Sequence, residues 1–261
     1  MEPFTYETAT SVADATRLAK GDAKLIAGGQ SLLPAMKLGL SAPPSLVDLG
    51  QIAELRTIRV EGGTVTIGAM ATHASVAASP DVARAIPALA YLASHIGDRQ
   101  VRNRGTIGGS LANNDPAACY PAAVLALGAT ILTDRRSIAA DAFFRGLYET
   151  ALADDEIITS VSFPVPEKAA YVKFKQPASR FALVGVFVAK GPAGVRVAVT
   201  GAGASVFRVG ALEAKLAGKW APESCAGVAI PAEGLNNDLH GSAQYRAALI
   251  PVLAGRAVAA S

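Results

Sequence analysis

Two stretches of the chain set paired glycines ahead of a hydroxyl side chain. They are Ala27-Gly28-Gly29-Gln30-Ser31-Leu32-Leu33-Pro34 and Thr106-Ile107-Gly108-Gly109-Ser110-Leu111-Ala112-Asn113-Asn114-Asp115-Pro116. Without a Cβ, backbone N–H groups can turn toward an anion, and a nearby serine adds one donor. A lone Gly-Gly pair is an ordinary turn. Two pairs with the same grammar, on either side of a strand-rich segment, predict one extended phosphorylated molecule gripped from both sides. Gly-x-Gly-x-x-Gly is absent from the first loop, so it is not a Rossmann fingerprint, and without Gly-Lys-Ser/Thr it is not a Walker A loop.

The elements around these loops follow from periodicity and punctuation. The apolar run Lys24-Leu25-Ile26-Ala27 enters the first loop, and Leu32, Leu33, Met36 and Leu40 leave it at helical spacing, giving strand, tight loop and helix start. Together with a helix over Ser11 to Ala19 and a strand at Leu46-Val47-Asp48-Leu49, this predicts a small α/β lobe over residues 1–55. A β-rich stretch follows, with a hairpin whose arms, Thr57 to Val60 and Thr64 to Ala69, flank Glu61-Gly62-Gly63. Pro80 to Ile96 reads as one helix, with Val82, Ile86, Leu89, Leu92 and Ala93 on one side, and the second glycine loop is expected directly after it. A helix over Pro116 to Leu127 and strands at Thr130 to Thr133 and Ile157 to Phe163 complete a second lobe over residues 56–166. Pro164-Val165-Pro166-Glu167-Lys168 then breaks the chain. Beyond it, strands at Tyr171 to Gln176, Ala182 to Ala189 and Val195 to Thr200, and a helix over Gln244 to Ala260, predict a sheet with helices against it over residues 169–261.

Composition bounds the function. A hydrophobic content of 51% with 17% charged residues over 261 positions indicates a globular protein, and no apolar run reaches membrane-spanning length. The start of the chain is not signal-like, so the expected location is cytoplasmic. A net charge of +3 without a basic cluster interleaved with aromatics argues against nucleic acid as partner. Cys119 and Cys225 are too few to hold an iron–sulfur cluster or a cysteine-based zinc site, and a disulfide between them is not expected in a reducing compartment. His73, His95 and His240 lack metal-ligand spacing and are expected at the surface or as capping residues.

The loops also carry a resemblance. Ala27 to Pro34, the run Gln100-Val101-Arg102-Asn103-Arg104-Gly105-Thr106-Ile107-Gly108-Gly109, Asn114-Asp115-Pro116-Ala117-Ala118, Glu156-Ile157-Ile158, Tyr171-Val172-Lys173-Phe174-Lys175 and Gln244-Tyr245-Arg246 occur in order along nearly the whole chain. In these pieces the chain resembles the FAD-binding medium subunits of the molybdenum hydroxylases, the group of aerobic carbon monoxide dehydrogenase and the flavin domain of xanthine dehydrogenase. The resemblance implies an α+β fold: a two-lobed FAD-binding domain of the vanillyl-alcohol-oxidase (PCMH) type, followed by a smaller C-terminal α+β domain. It implies FAD, with the diphosphate held by Leu25, Ile26, Ala27, Gly28, Gly29, Gln30, Ser31 and Leu32 on one side and Thr106, Ile107, Gly108, Gly109 and Ser110 on the other. Ile96 and Ile158 fall where the family has side chains against the cofactor, and core packing accounts for either equally well. Lys175 aligns with a family lysine near the flavin; Lys173, on the same strand face, could exchange that role.

Two departures stand out. Where much of the family has an aspartate that accepts hydrogen bonds from the cofactor's sugar, this chain has Cys119, a poor acceptor; either adenosine-side affinity is weaker or Asp115 compensates. Arg180-Phe181-Ala182-Leu183 lacks the acidic run that xanthine dehydrogenase carries near its nicotinamide site, so a quinone or another carrier is better supported than NAD as acceptor. The implied function is an electron-transfer oxidoreductase subunit with no catalytic side chain of its own. Its partners would be a small subunit with [2Fe–2S] clusters and a large subunit with the molybdenum cofactor, assembled as a dimer of heterotrimers. The alternatives are a self-contained FAD oxidoreductase of the same fold and a flavin-free assembly protein.

Overall fold

The computed structural model describes residues 2–261. The chain begins with β1 (Thr5–Thr8), α1 (Val12–Leu18), β2 (Lys24–Ile26), α2 (Leu32–Lys37) and β3 (Ser45–Asp48). The strands form a parallel three-stranded sheet in the order β1-β3-β2, because each connection contains a helix. Ser11 starts α1 by accepting from the Asp14 N–H at 3.1 Å. Ala15, Val47, Leu49, Ile52 and Leu55 form the core here, and Met70 and Ile157 from later chain complete it.

The hairpin of β4 (Ile58–Glu61) and β5 (Thr64–Gly68) closes through Gly62 and Gly63, both at positive φ (55° and 73°), which a two-residue turn between twisted strands requires. Six short helices follow: α3 (His73–Ala78), α4 (Pro80–Ala85), α5 (Pro87–Ser94), α6 (Arg99–Arg104), α7 (Ile107–Asn113) and α8 (Tyr120–Ala126). The chain continues through β6 (Thr130–Thr133), β7 (Ser137–Ala139), α9 (Ala140–Phe143), β8 (Phe144–Gly146), β9 (Glu149–Thr150) and β10 (Ile158–Pro164). The antiparallel sheet β4-β5-β10-β6-β7 carries the helices on an apolar layer that includes Val65, Ile67, Leu89, Leu92, Leu111, Val161 and Phe163.

Three expectations are corrected here. The single helix over Pro80 to Ile96 is two, because Pro87 disfavours helical backbone at Ile86, which sits at φ −138° and ψ 75°. The second glycine segment does not follow that helix directly: α6 intervenes, and Gly108 and Gly109 lie in the first turn of α7. The helix expected from Pro116 begins at Tyr120, because Asp115 to Ala118 fold into a turn in which the Asp115 carboxylate accepts from Ala117 N–H at 2.8 Å.

The last third consists of β11 (Lys168–Lys175), β12 (Ala182–Gly191), β13 (Gly194–Thr200), β14 (Phe207–Arg208), α10 (Gly210–Gly218) and α11 (Ala243–Ala259), with the strands in sequence order in one antiparallel sheet. Strand alternation divides the residues between two cores. Val184, Val186, Val188, Val197 and Val199 meet α10 and α11, while Tyr171, Phe187, Ala189 and Ala198 join the core of the preceding lobe. That double burial explains why β12 reads as an unbroken apolar run. Arg246, from the motif near the C-terminus, is a buried clamp: it donates to Leu183 O (2.7 Å) and Gly201 O (3.0 Å) and pairs with both oxygens of Asp238 (2.8 and 2.9 Å).

Candidate functional site

The first glycine segment leaves β2 and turns at Gly29, whose φ of +70° belongs to the left-handed region that glycine tolerates best. A Cβ at Gly28 would overlap the Arg104 carbonyl and stand 2.8 Å from Gly105 Cα, so this residue lets the two glycine segments touch. Among the described residues, the N–H groups of Gly28, Gly29, Gln30, Ser31 and Leu32 donate to no protein acceptor. The Ser31 hydroxyl does not cap α2 either. The Gln30 side chain folds back onto Gly28 O at 3.0 Å. The result is a concave array of unpaired donors at the start of a helix.

The second segment differs. Ile107 N–H donates to Ala71 O (3.1 Å), Gly108 N–H to Ala69 O (2.9 Å) and Ser110 N–H to Thr106 O (3.0 Å). Gly109 N–H is taken by the Thr106 hydroxyl oxygen at 3.1 Å, a helix N-cap. A Cβ at Gly108 would stand 2.6 Å from Ala69 Cβ, so this glycine serves the close approach of α7 to the end of β5. What the segment offers outward is the Ser110 hydroxyl and the positive end of a short helix.

Both segments line one cleft of about 1030 Å³, at the upper end of the roughly 300–1,000 Å³ typical of ligand pockets. Leu25 through Leu32, Ile96, Thr106, Gly108, Gly109, Ser110, Asp115, Cys119 and Ile158 all face it. Ile107 does not; at the start of α7 it is fully buried in the core. Lys175 does not line the cleft either. It lies exposed beyond an irregularity in the β11–β12 register between Phe174 and Lys175, which breaks the strand alternation. Lys173 takes the place expected of it, with Nζ donating to His95 O (3.1 Å) and contacting Cys119 Sγ (3.3 Å).

Other cleft residues escaped the sequence reading. His73, expected at the surface or as a cap, is buried against Gly105 and Tyr120, and its Nδ1 has no partner among the described residues. Burial, reinforced by the Arg102 charge, pulls its pKa down to about 4, so the imidazole is neutral at physiological pH. The Glu156 carboxylate accepts from Arg136 Nε (2.8 Å) and Nη2 (2.7 Å), Thr133 Oγ1 (2.8 Å) and Ala153 N–H (3.0 Å). Arg136 above all holds its pKa at about 2. Glu156 thereby fastens the segment whose next residues, Ile157 and Ile158, form cleft wall. Arg180, at φ +63°, and half-exposed Phe181 line the mouth. Glu156, Arg180 and Phe181 stand in runs singled out in the sequence, but nothing local to them marks them as cleft residues.

The family model for the FAD binding domain in molybdopterin dehydrogenase matches residues 2–166. The chain belongs to this family. It is 39% identical to the nicotine 6-hydroxylase medium subunit of Paenarthrobacter nicotinovorans, over 97% of this chain and 95% of the relative. It is 37% identical to the carbon monoxide dehydrogenase medium chain of Hydrogenophaga pseudoflava, over 99% and 96%. Among solved structures, the reconstituted carbon monoxide dehydrogenase from Oligotropha carboxidovorans superposes with a TM-score of 0.90 at 32% identity, over 99% of this chain and 98% of that one. The protein is therefore an FAD-binding medium subunit of the molybdenum hydroxylase type and a component of an oxidoreductase.

The residues present fit FAD. A diphosphate needs several donors in one concave surface, and the unpaired N–H groups of Gly28 to Leu32 provide them without placing a cation in the pocket. The cleft is large enough for a dinucleotide, and Ile96, Ile157 and Ile158 supply apolar wall for a ring. Among the described residues no helix is long and apolar enough to cross a membrane, and no cluster of side chains could hold a metal ion.

Proposed function

We propose that the chain is the electron-transfer subunit of a molybdenum hydroxylase. In this reading, the chain would hold FAD between the [2Fe–2S] clusters of a small partner subunit and an external carrier, while a large molybdenum subunit would oxidise the substrate. The observation that carries the proposal is the cradle of unpaired N–H groups at Gly28 to Leu32 in a cleft able to take a dinucleotide, in a chain that matches subunits named medium over nearly their whole length. Bound FAD supplies the redox chemistry. The protein's residues bind and orient it: the first segment takes the diphosphate, Ile96 and Ile158 flank it with apolar wall, and neutral His73 adds no charge.

The relatives' names support placing substrate choice in another chain, since nicotine and carbon monoxide have no chemistry in common yet their medium subunits match this one at 39% and 37% identity. A dimer of heterotrimers in the cytoplasm is the assembly we propose; both cysteines are free and buried, as a reducing compartment permits.

The test is purification of the tagged chain from its native host with flavin, iron and molybdenum measured per copy. The expected ratios are about one flavin, about four irons for a pair of [2Fe–2S] clusters and about one molybdenum. Flavin without metals or companion chains would replace the proposal by a self-contained FAD oxidoreductase, and absence of flavin would leave an assembly protein.

A further inference from the structure

Cys119 precedes the first turn of α8, yet its thiol makes no cap bond, and the residue is buried on the wall of the cleft. Two donors face its sulfur. Lys173 Nζ lies 3.3 Å from Sγ, donates otherwise to His95 O at 3.1 Å, and pairs with no carboxylate among the described residues. The Tyr171 hydroxyl, buried beside Cys119, has no hydrogen-bond partner among the described residues. Burial first and Cys119 second raise its pKa, so it keeps its proton. A thiol sulfur is a weak acceptor, which leaves both a cation and a buried O–H short of a partner. An oxygen added to the sulfur would accept from both. Cys225 has no such surroundings: it lies in the apolar core of the last third, where burial raises its pKa.

We propose that Cys119 is a peroxide-reactive thiol that closes onto Lys173 as a covalent S–N cross-link. In the first step the sulfur attacks hydrogen peroxide: an S–O bond forms, the O–O bond breaks and water leaves. The thiol becomes a sulfenic acid, oxidised by the two electrons that the peroxide gains. Lys173 Nζ then attacks the sulfur, forming the S–N bond and breaking the S–O bond. The oxygen leaves as water with one ammonium proton, and a second proton goes to the solvent. No further oxidant is needed, and two thiols restore the pair while becoming a disulfide. The link removes the lysine's charge from the cleft and ties β11 to the start of α8, so a chain oxidised before loading should hold FAD less well. This consequence rests on the FAD-binding reading above, in which the bound cofactor covers the sulfur.

The experiment exposes the full chain, freed of bound flavin, to hydrogen peroxide and reads peptide masses and flavin absorbance. The expected product is one peptide pair joining Cys119 to Lys173, lighter than its parts by two hydrogens and separated again by dithiothreitol. It should be absent from Lys173→Met and Cys119→Ser, and Cys225 should stay a free thiol. FAD at about a hundred times its Kd should slow the linking about a hundredfold. Oxidation at Cys119 without a link to Lys173, a link that retains the oxygen, or a Cys119 as resistant to peroxide as Cys225 would each overturn the proposal. The parent chain decides this alone, so a Lys173→Met chain that fails to fold does not blunt the test. Linking as fast in the flavin-loaded chain as in the free one would overturn the covering of the sulfur. A chain that links but takes up no flavin would keep the cross-link and sink the FAD reading.

Discussion

The two glycine segments spell nearly the same word and do different work. In Gly28-Gly29-Gln30-Ser31 the backbone donors stay unpaired and face the cleft; in Gly108-Gly109-Ser110 each is taken within the fold, by Ala69, by the Thr106 hydroxyl and by the Thr106 carbonyl. The difference lies at the two N-caps. Thr106, the N-cap of α7, takes the Gly109 N–H with its hydroxyl, whereas Ser31, the N-cap of α2, makes no side-chain cap bond. A Gly-Gly-Ser string therefore marks a close backbone approach in both cases, and becomes an anion cradle only where the local helix start is left uncapped.

Substitution of the glycines tests that division most strongly. In Gly28→Ala the new Cβ meets the Arg104 carbonyl, so the cradle must shift away from the second segment. Loss of two or more charge-assisted hydrogen bonds should weaken FAD binding by at least about a hundredfold. In Gly108→Ala the Cβ meets Ala69, so α7 must move off β5. Overpacking of this kind costs about 1–3 kcal/mol, which lowers Tm by about 3–10 °C in a chain of this size, while flavin affinity of the folded protein stays within about tenfold. Flavin titration and thermal melts of both variants check this; equal losses of affinity would mean that the segments act alike.

How much of this could be read in advance depended on the range of the forces involved. Signals carried by adjacent residues came through: the Gly62-Gly63 hairpin, the strand–loop–helix around Gly28, the apolar runs of β11 to β13 and the cleft positions of Ile96 and Asp115. The failures needed contacts between distant parts of the chain. Strand period alone could not separate Lys173 from Lys175, because both lie on one face until the register shift after Phe174. Burial of His73 depends on Gly105, more than thirty positions away, and the environment of Glu156 on Arg136. Pro87 was a local signal misread: apolar spacing continued across it, but the residue before a proline avoids the helical region.

Acid should separate the two segments next. The folded pKa of His73 is depressed to about 4 from an ordinary 6.5, so the stability tied to its neutral form is complete above about 6.5 and is lost as pH falls toward 4. The loss is at most about 3 kcal/mol and falls on the second segment, where His73 packs against Gly105. Glu156, depressed to about 2, adds a second loss between about 4.5 and 2. Denaturant melts across pH should show two steps, and His73→Asn should remove the upper one alone. If that variant keeps the slope between 6.5 and 4, the imidazole is not the group that titrates.

The finest contrast is between two hydroxyls. Thr106 caps α7, so Thr106→Ala should cost about 1 kcal/mol of stability. Ser31 caps nothing, so Ser31→Ala should leave the melt unchanged. Its effect should appear only when flavin is added, as loss of one hydrogen bond to the diphosphate, about 0.5–1.5 kcal/mol or roughly two- to tenfold in affinity. The result of interest is the crossing: a threonine whose loss is seen in the empty protein and a serine whose loss is seen in the loaded one. A Ser31→Ala protein that melts early but binds flavin normally would show that the hydroxyl belongs to the fold, and that the first segment binds through its backbone alone.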